Sequence, residues 1–181
     1  MASLLDMVQQ QLGPNEVNQI SQQLGVAPEQ AQSAIQAALP MVIGGMASNA
    51  SQPGGSDAIH QSLASHGGIL GNLGGLLGGG GVADGGGLLG NILGTHQAPV
   101  QQGVSQASGL DSNKTRQLLL MLAPIVMGVL ARKHAAAQTN PAQVGDDLRR
   151  ESEVAHEQTR KQAPHLGGLL GKIFKGAVPG A

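Results

Sequence analysis

The sequence predicts an all-α protein: duplicated helix-turn-helix units around a glycine-rich centre, followed by a charged helix and an amphipathic C-terminal helix. Three observations carry that prediction. The 181 residues are 40% hydrophobic, yet they include no Trp, no Tyr and no Cys, and the lone Phe is Phe174. A core must therefore be built from Leu, Ile, Val, Met and Ala, mostly good helix formers, while strand-favouring aromatic and β-branched residues are scarce. A segment also occurs twice, as ISQQLGVAPEQAQSAIQAALPMVIGGMA (residues 20–47) and as VSQASGLDSNKTRQLLLMLAPIVMGVLA (residues 104–131), 84 positions apart. Finally, the stretch Gly67–Gly94 holds 14 of the 29 glycines, a density that favours short turns between the copies.

Each copy reads as a helix, a tight turn and a longer helix. Gly25 and Gly109 stop the first helix, because glycine enters the left-handed region at no steric cost. Copy one restarts at Ala27-Pro28-Glu29, with proline at the first helical position and an acid in the first turn. Copy two restarts behind Asp111 as N-cap. The longer helices set Ile35, Ala38, Leu39, Val42, Ile43 and Met46 on one face, and likewise Leu118, Leu119, Leu122, Ile125, Val126, Val129 and Leu130, so both read as amphipathic. Pro40 and Pro124 each remove a backbone hydrogen bond and predict a kink. Gly44 and Gly128, one turn later, make a small-residue surface that another helix can approach closely.

Between and beyond the copies, GILGNL (68–73), GLLGNI (87–92) and GLLGKI (168–173) predict short turns whose apolar edge must dock elsewhere. Gly78–Gly81 and Ser51–Ser56 read as breaks. Asn140–Gln162 is charged nearly all round and reads as an exposed helix begun by Asn140-Pro141, with Asp146/Arg150 and Glu157/Lys161 as i, i+4 pairs. In the last segment Leu166, Leu169, Leu170, Ile173, Phe174 and Ala177 form one apolar stripe flanked by Lys172 and Lys175. Such a cationic amphipathic helix fits a membrane surface, a partner's groove, or the body of its own or a neighbouring copy. The organisation expected is a helical domain over 1–135, a charged linker helix over 136–164 and an amphipathic segment over 165–181.

Four stretches carry a resemblance: MASLLDMVQQQLG, the QLG-x-x-PEQ-x-x-x-A-x-x-AALP run, DGGGLLGNILG, and SGLD with LLLMLAPIVMGVL. In order and spacing they resemble the YidB-like family of bacterial proteins, a family of unknown function. The resemblance covers about residues 1–135. It implies a bacterial source and an all-helical domain, and it supplies no catalytic residue.

The residues themselves argue against most chemistry. Without aromatic rings there is no stacking platform for single-stranded nucleic acid and no cage for a quaternary ammonium, so nucleic acid is not an expected partner. Zero cysteines remove disulfides, thiol nucleophiles and Cys-based metal sites. No strand precedes Gly78–Gly81, and around Gly171-Lys172 a phosphate loop lacks its Ser/Thr at Ile173 and its first glycine at Leu166. His60, His66, His96, His134, His156 and His165 form no H-x-x-x-H, and the single E-x-x-H, Glu153 and His156, lacks the second motif of a di-metal bundle. There is no G-x-S-x-G elbow, and the neighbouring carboxylates Asp146-Asp147 sit on the charged helix. No cofactor, metal or small-molecule substrate is expected. The apolar run 118–131 falls short of the roughly 20 residues of a membrane span. MASLLDMVQQQ has neither a basic start nor a long apolar core, so the expected location is the cytoplasm.

The net charge of −1 conceals a separation. Residues 1–113 carry six acids and no Lys or Arg, a net of −6, whereas residues 114–181 carry ten bases and five acids, a net of +5. Opposite fields attract within a chain or between chains, and surfaces of unlike sign suit heterologous contacts that close into rings or run on as filaments. The expectation is a non-catalytic structural or interaction protein whose main partner is itself. A peripheral membrane or envelope factor anchored by residues 165–177 is the first alternative, and an enzyme of unrecognised type the second.

Overall fold

The computed structural model describes residues 2–75, 77, 82–135 and 138–162. Among these every regular element is helical: α1 (Leu4–Gln11), α2 (Pro14–Leu24), α3 (Pro28–Ala50), α4 (Gly55–His66), a 3₁₀ turn (Ile69–Asn72) running into a short α5 (Leu73–Gly75), α6 (Val82–Leu93), a second 3₁₀ turn (Gly94–His96), α7 (Gln97–Ser108), α8 (Ser112–Ala135) and α9 (Pro141–Gln162). The protein is all-α, as its composition predicts.

The helix boundaries follow local chemistry. Ser3 and Asp6 form a reciprocal capping box before α1. Pro14 and Pro28 open α2 and α3 at positions where a missing N–H costs nothing. Gly25 (φ 62°) ends α2 and Gly109 (φ 70°) ends α7, both in the left-handed region where a Cβ is penalised. Asp111 accepts the Lys114 N–H at 2.9 Å and so caps α8. Asn140 and Gln143 exchange side-chain-to-backbone bonds of 3.0 Å each, a capping box that opens α9.

Two of the sequence expectations about these helices need correction. The long helices are amphipathic only at their starts: α3 is buried continuously from Ala37 to Asn49, and α8 from Met121 to Ala131. Helix α3 is packed chiefly by α9, α7 and α2, and α8 by α6, α4 and α7, and a helix enclosed by others has no solvent face to mark with polar residues. Alpha-helix α8 is long and apolar enough to cross a membrane, but 78% of its most apolar window is buried against other helices, the pattern of a core helix. Both helices continue through Pro40 and Pro124. The stretch 87–92 is likewise more than a short turn, since it lies inside α6. Leu88, Leu89, Ile92 and Leu93 bury one edge of α6 against α8, α3 and α4, and this packing outweighs the poor helix propensity of Gly86, Gly87 and Gly90. The break expected at Gly78–Gly81 lies outside the described residues.

The second correction concerns α9, which is not exposed all round. Its broadest contact is with α3, and it also touches α4 and α1. Val144, Leu148, Ser152, Ala155 and Thr159 are buried along one face at spacings of three and four. The Ser152 hydroxyl donates to the Arg149 carbonyl and the Thr159 hydroxyl to the Ala155 carbonyl, both at 2.8 Å, so these two polar groups face the core already satisfied. On the outer face the Glu157–Lys161 pair forms at 3.1 Å, as its spacing predicts. Asp146 pairs with Arg149 rather than with Arg150.

Candidate functional site

The most polar cluster among the described residues sits where α8 meets α9. Arg132, Lys133 and His134 occupy the last turn of α8, cations at the negative end of its dipole. Lys133 Nζ lies 2.8 Å from Asp147 Oδ2 and 2.6 Å from Glu151 Oε1, two carboxylates one turn apart on α9. The other oxygen of Glu151 accepts the Leu4 N–H at 2.7 Å, so one carboxylate ties α1, α8 and α9 together. His134 is buried; its Nδ1 lies 2.8 Å from Thr139 Oγ1, and its Nε2 lies 3.4 Å from Asp147 Oδ2 without hydrogen-bond geometry. On α4, His60 Nε2 is 3.0 Å from the Thr139 carbonyl, which can only accept, so the ring donates there. A cleft of about 400 Å³ opens beside this cluster, lined by Lys133, His134, Thr139, Gln143, Asp146, Asp147 and Arg150.

The electrostatics hold the two basic groups in opposite states. Burial works against the Lys133 ammonium, but hydrogen bonds to Asp147 and Glu151 and their negative charges together outweigh it, so its pKa is raised. Burial pushes the His134 pKa below its usual value; the charges of Lys133 and His60 add to that, and Asp147 opposes it. The cluster therefore presents a firmly charged lysine and a neutral imidazole near pH 7. No three His, Asp or Glu residues among those described converge well enough to hold a metal ion. The geometry acts as a clamp that fixes α9 to the body.

The end of α3 carries a second clamp. Asn49 is buried, and its Nδ2 donates to the carbonyls of Asn91 (2.9 Å) and Ile92 (3.1 Å), acceptors in the last turn of α6. Gly94 follows with φ 52°, and any side chain there would collide with Asn49 Oδ1. One turn earlier, a Cβ on Gly45 would lie 2.8 Å from both Leu93 Cδ2 and Val100 Cγ2, so α3 packs backbone-close against α6 and α7.

The residues expected to matter for packing are all in the core: Pro40 and Gly44 in α3, Pro124 and Gly128 in α8. A Cβ on Gly128 would sit 2.9 Å from Leu70 Cγ, a side chain of the first 3₁₀ turn. In α3 the close approach is at Gly45. Asn49, Gly45 and the Lys133 cluster escaped the sequence reading; an asparagine at the end of an apolar run was the available signal for the first. Leu166, Leu169, Leu170, Lys172, Ile173, Phe174 and Lys175 lie outside the described residues, as does Gly171. Glu153 is exposed on the outer side of α9. A second groove, of about 310 Å³, runs along α7 between Gln101, Gln102, Ser105, Gln106 and Ser112 and is lined by uncharged groups.

A family model described as bacterial protein of unknown function (DUF937) matches residues 6–133. The chain belongs to the DUF937 family. No curated protein and no solved structure matches it. The DUF937 region takes in most of α1 and runs through Lys133, the clamp residue itself. Helix α9 lies beyond it and is nonetheless packed on its central helix α3.

Proposed function

We propose that this DUF937 protein is a non-catalytic interaction protein of the bacterial cytoplasm that associates with itself through helical surfaces of opposite charge. The single observation that carries the reading is where the charges go. Glu29, Asp57 and Asp111 are exposed in the part of the chain without a single Lys or Arg, while Arg116, Arg132, Arg149, Arg150, Arg160 and Lys161 are exposed in the basic part. The ion pairs of Lys133, His134, Arg149 and Lys161 all join partners after residue 113. The acidic surface is thus left to attract a basic surface from another copy, and unlike faces produce head-to-tail contacts.

Light scattering on the full chain across concentration and ionic strength tests this. The mass should rise with concentration and fall as salt shortens the screening length to about 3 Å at 1 M. A monomer under all conditions sinks the proposal. The apolar stripe with Phe174 supports a second reading, attachment to a membrane surface. Co-sedimentation with anionic liposomes that is lost on Phe174→Asp would favour it over self-association.

A further inference from the structure

We infer that α9 is an exchangeable arm: the groove formed by α3, α4 and α1 of one molecule accepts α9 from a second copy of the chain, in the register in which it holds its own. This rests on the self-associating reading and adds to it a contact distinct from the charged surfaces. Four observations lead to it. Helix α9 lies beyond the DUF937 region yet makes its broadest contact with α3. It meets the groove through a narrow seam, Val144, Leu148, Ser152, Ala155 and Thr159, and its outer face, with Arg149, Arg150, Glu153 and Glu157 exposed, suits a helix that stays in solution when undocked. Its polar anchors, Lys133 Nζ and the Leu4 N–H, belong to the body, so α9 from any copy meets the same partners through Asp147 and Glu151.

The fourth observation is the connection. Only residues 136–140 separate α8 from α9, and the chain folds back so that Lys133 meets Asp147 and Glu151. Within that connection Gln138 has φ 46°, a left-handed conformation that a side chain with a Cβ adopts at a cost. A short connection strained at Gln138 favours extension into a neighbouring molecule, where the contacts of α9 are remade and the strain at Gln138 is released. Reciprocal exchange closes as a dimer; exchange passed from copy to copy gives an open chain.

The chain has no cysteine, and a Cβ on Gly145 would sit 3.6 Å from Ser56 Cβ, within the range a disulfide spans. A full-length Ser56→Cys chain is mixed with a full-length Gly145→Cys chain at high concentration, incubated and oxidised. The expected product is a covalent heterodimer linked between positions 56 and 145, mapped by peptide mass spectrometry. Its yield should rise with concentration and fall about tenfold with Gln138→Gly, because glycine accepts the left-handed connection without strain. A chain carrying both cysteines should close on itself in dilute solution; failure to do so overturns the inference by removing α9 from its groove. Association seen by light scattering without any 56–145 link between copies overturns exchange and leaves self-association standing. A monomer at every concentration, with no such link, overturns both.

Discussion

In the last turn of α3 the side chain that reaches out to a neighbour is Asn49; 84 positions later, in the last turn of α8, it is Lys133. The offset is that of the two sequence copies, and each residue lies two positions beyond its copy, so the same place after each copy holds a neighbouring helix by a different chemistry. Asn49 donates neutral hydrogen bonds to the carbonyls that end α6, inside the core. Lys133 reaches two carboxylates on α9 at the rim, with 27% of its side chain exposed. The first clamp should be indifferent to salt and pH, whereas the second should respond to both. The helices differ as well one turn earlier, where Gly45 in α3 corresponds to Val129 in α8, and only the glycine lets neighbouring side chains approach the helix backbone.

The largest effect should come from making the two helices alike at that point. Gly45→Val pushes new methyl groups into Leu93 and Val100 and should destabilise the protein by about 3 kcal/mol, the upper end for overpacking a filled core. Urea unfolding measures it, and a change under 1 kcal/mol would show that the close approach is not needed. Asn49→Ala should cost about 2 kcal/mol, because two α6 carbonyls lose their donor and a buried amide is deleted. Hydrogen exchange should then quicken in α6 before α9, with no dependence on salt. Lys133→Met should cost about 1–2 kcal/mol, reduced from the value of a fully buried pair because the site is partly exposed. Here exchange should quicken in α9 first, and the cost should shrink at high salt.

Acid separates the clamps further. The folded pKa of His134 is held below its unfolded value of about 6.5. The neutral ring is therefore favoured by folding, and its contribution to stability is present above pH 6.5 and is lost as pH falls through the lowered folded value. Thermal unfolding between pH 7.5 and 5 should show this loss, and His134→Gln should flatten the slope. The smallest effect belongs to the exposed Glu157–Lys161 pair, where Glu157→Ala should change stability by about 0.3 kcal/mol. A loss above 1 kcal/mol there would mean that the outer face of α9 is engaged.

Much of the fold was legible because its signals are local. Helix starts at Pro28, Asp111 and Asn140-Pro141 and stops at Gly25 and Gly109 each depend on a residue and its near neighbours. The inner seam of α9 was not legible, because two of its buried positions are Ser152 and Thr159, whose hydroxyls are satisfied within the helix and look no different in sequence from exposed ones. The clamps were illegible for another reason: nothing near Asn49 names Asn91, and nothing near Leu4 names Glu151.

By itself, then, the sequence determined that the protein is helical, where α3, α8 and α9 begin and where α2 and α7 end, which family it belongs to and how its charge is divided. Backbone propensity, capping and composition act over a few residues and can be read in order along the chain. Only the tertiary structure decided which positions of the two long helices meet which neighbours: Gly45 against Leu93 and Val100, Gly128 against Leu70, and Lys133 against a helix outside the family region. Those pairings depend on close packing in three dimensions between residues far apart in the chain, where a difference of one methyl group decides whether two helices fit.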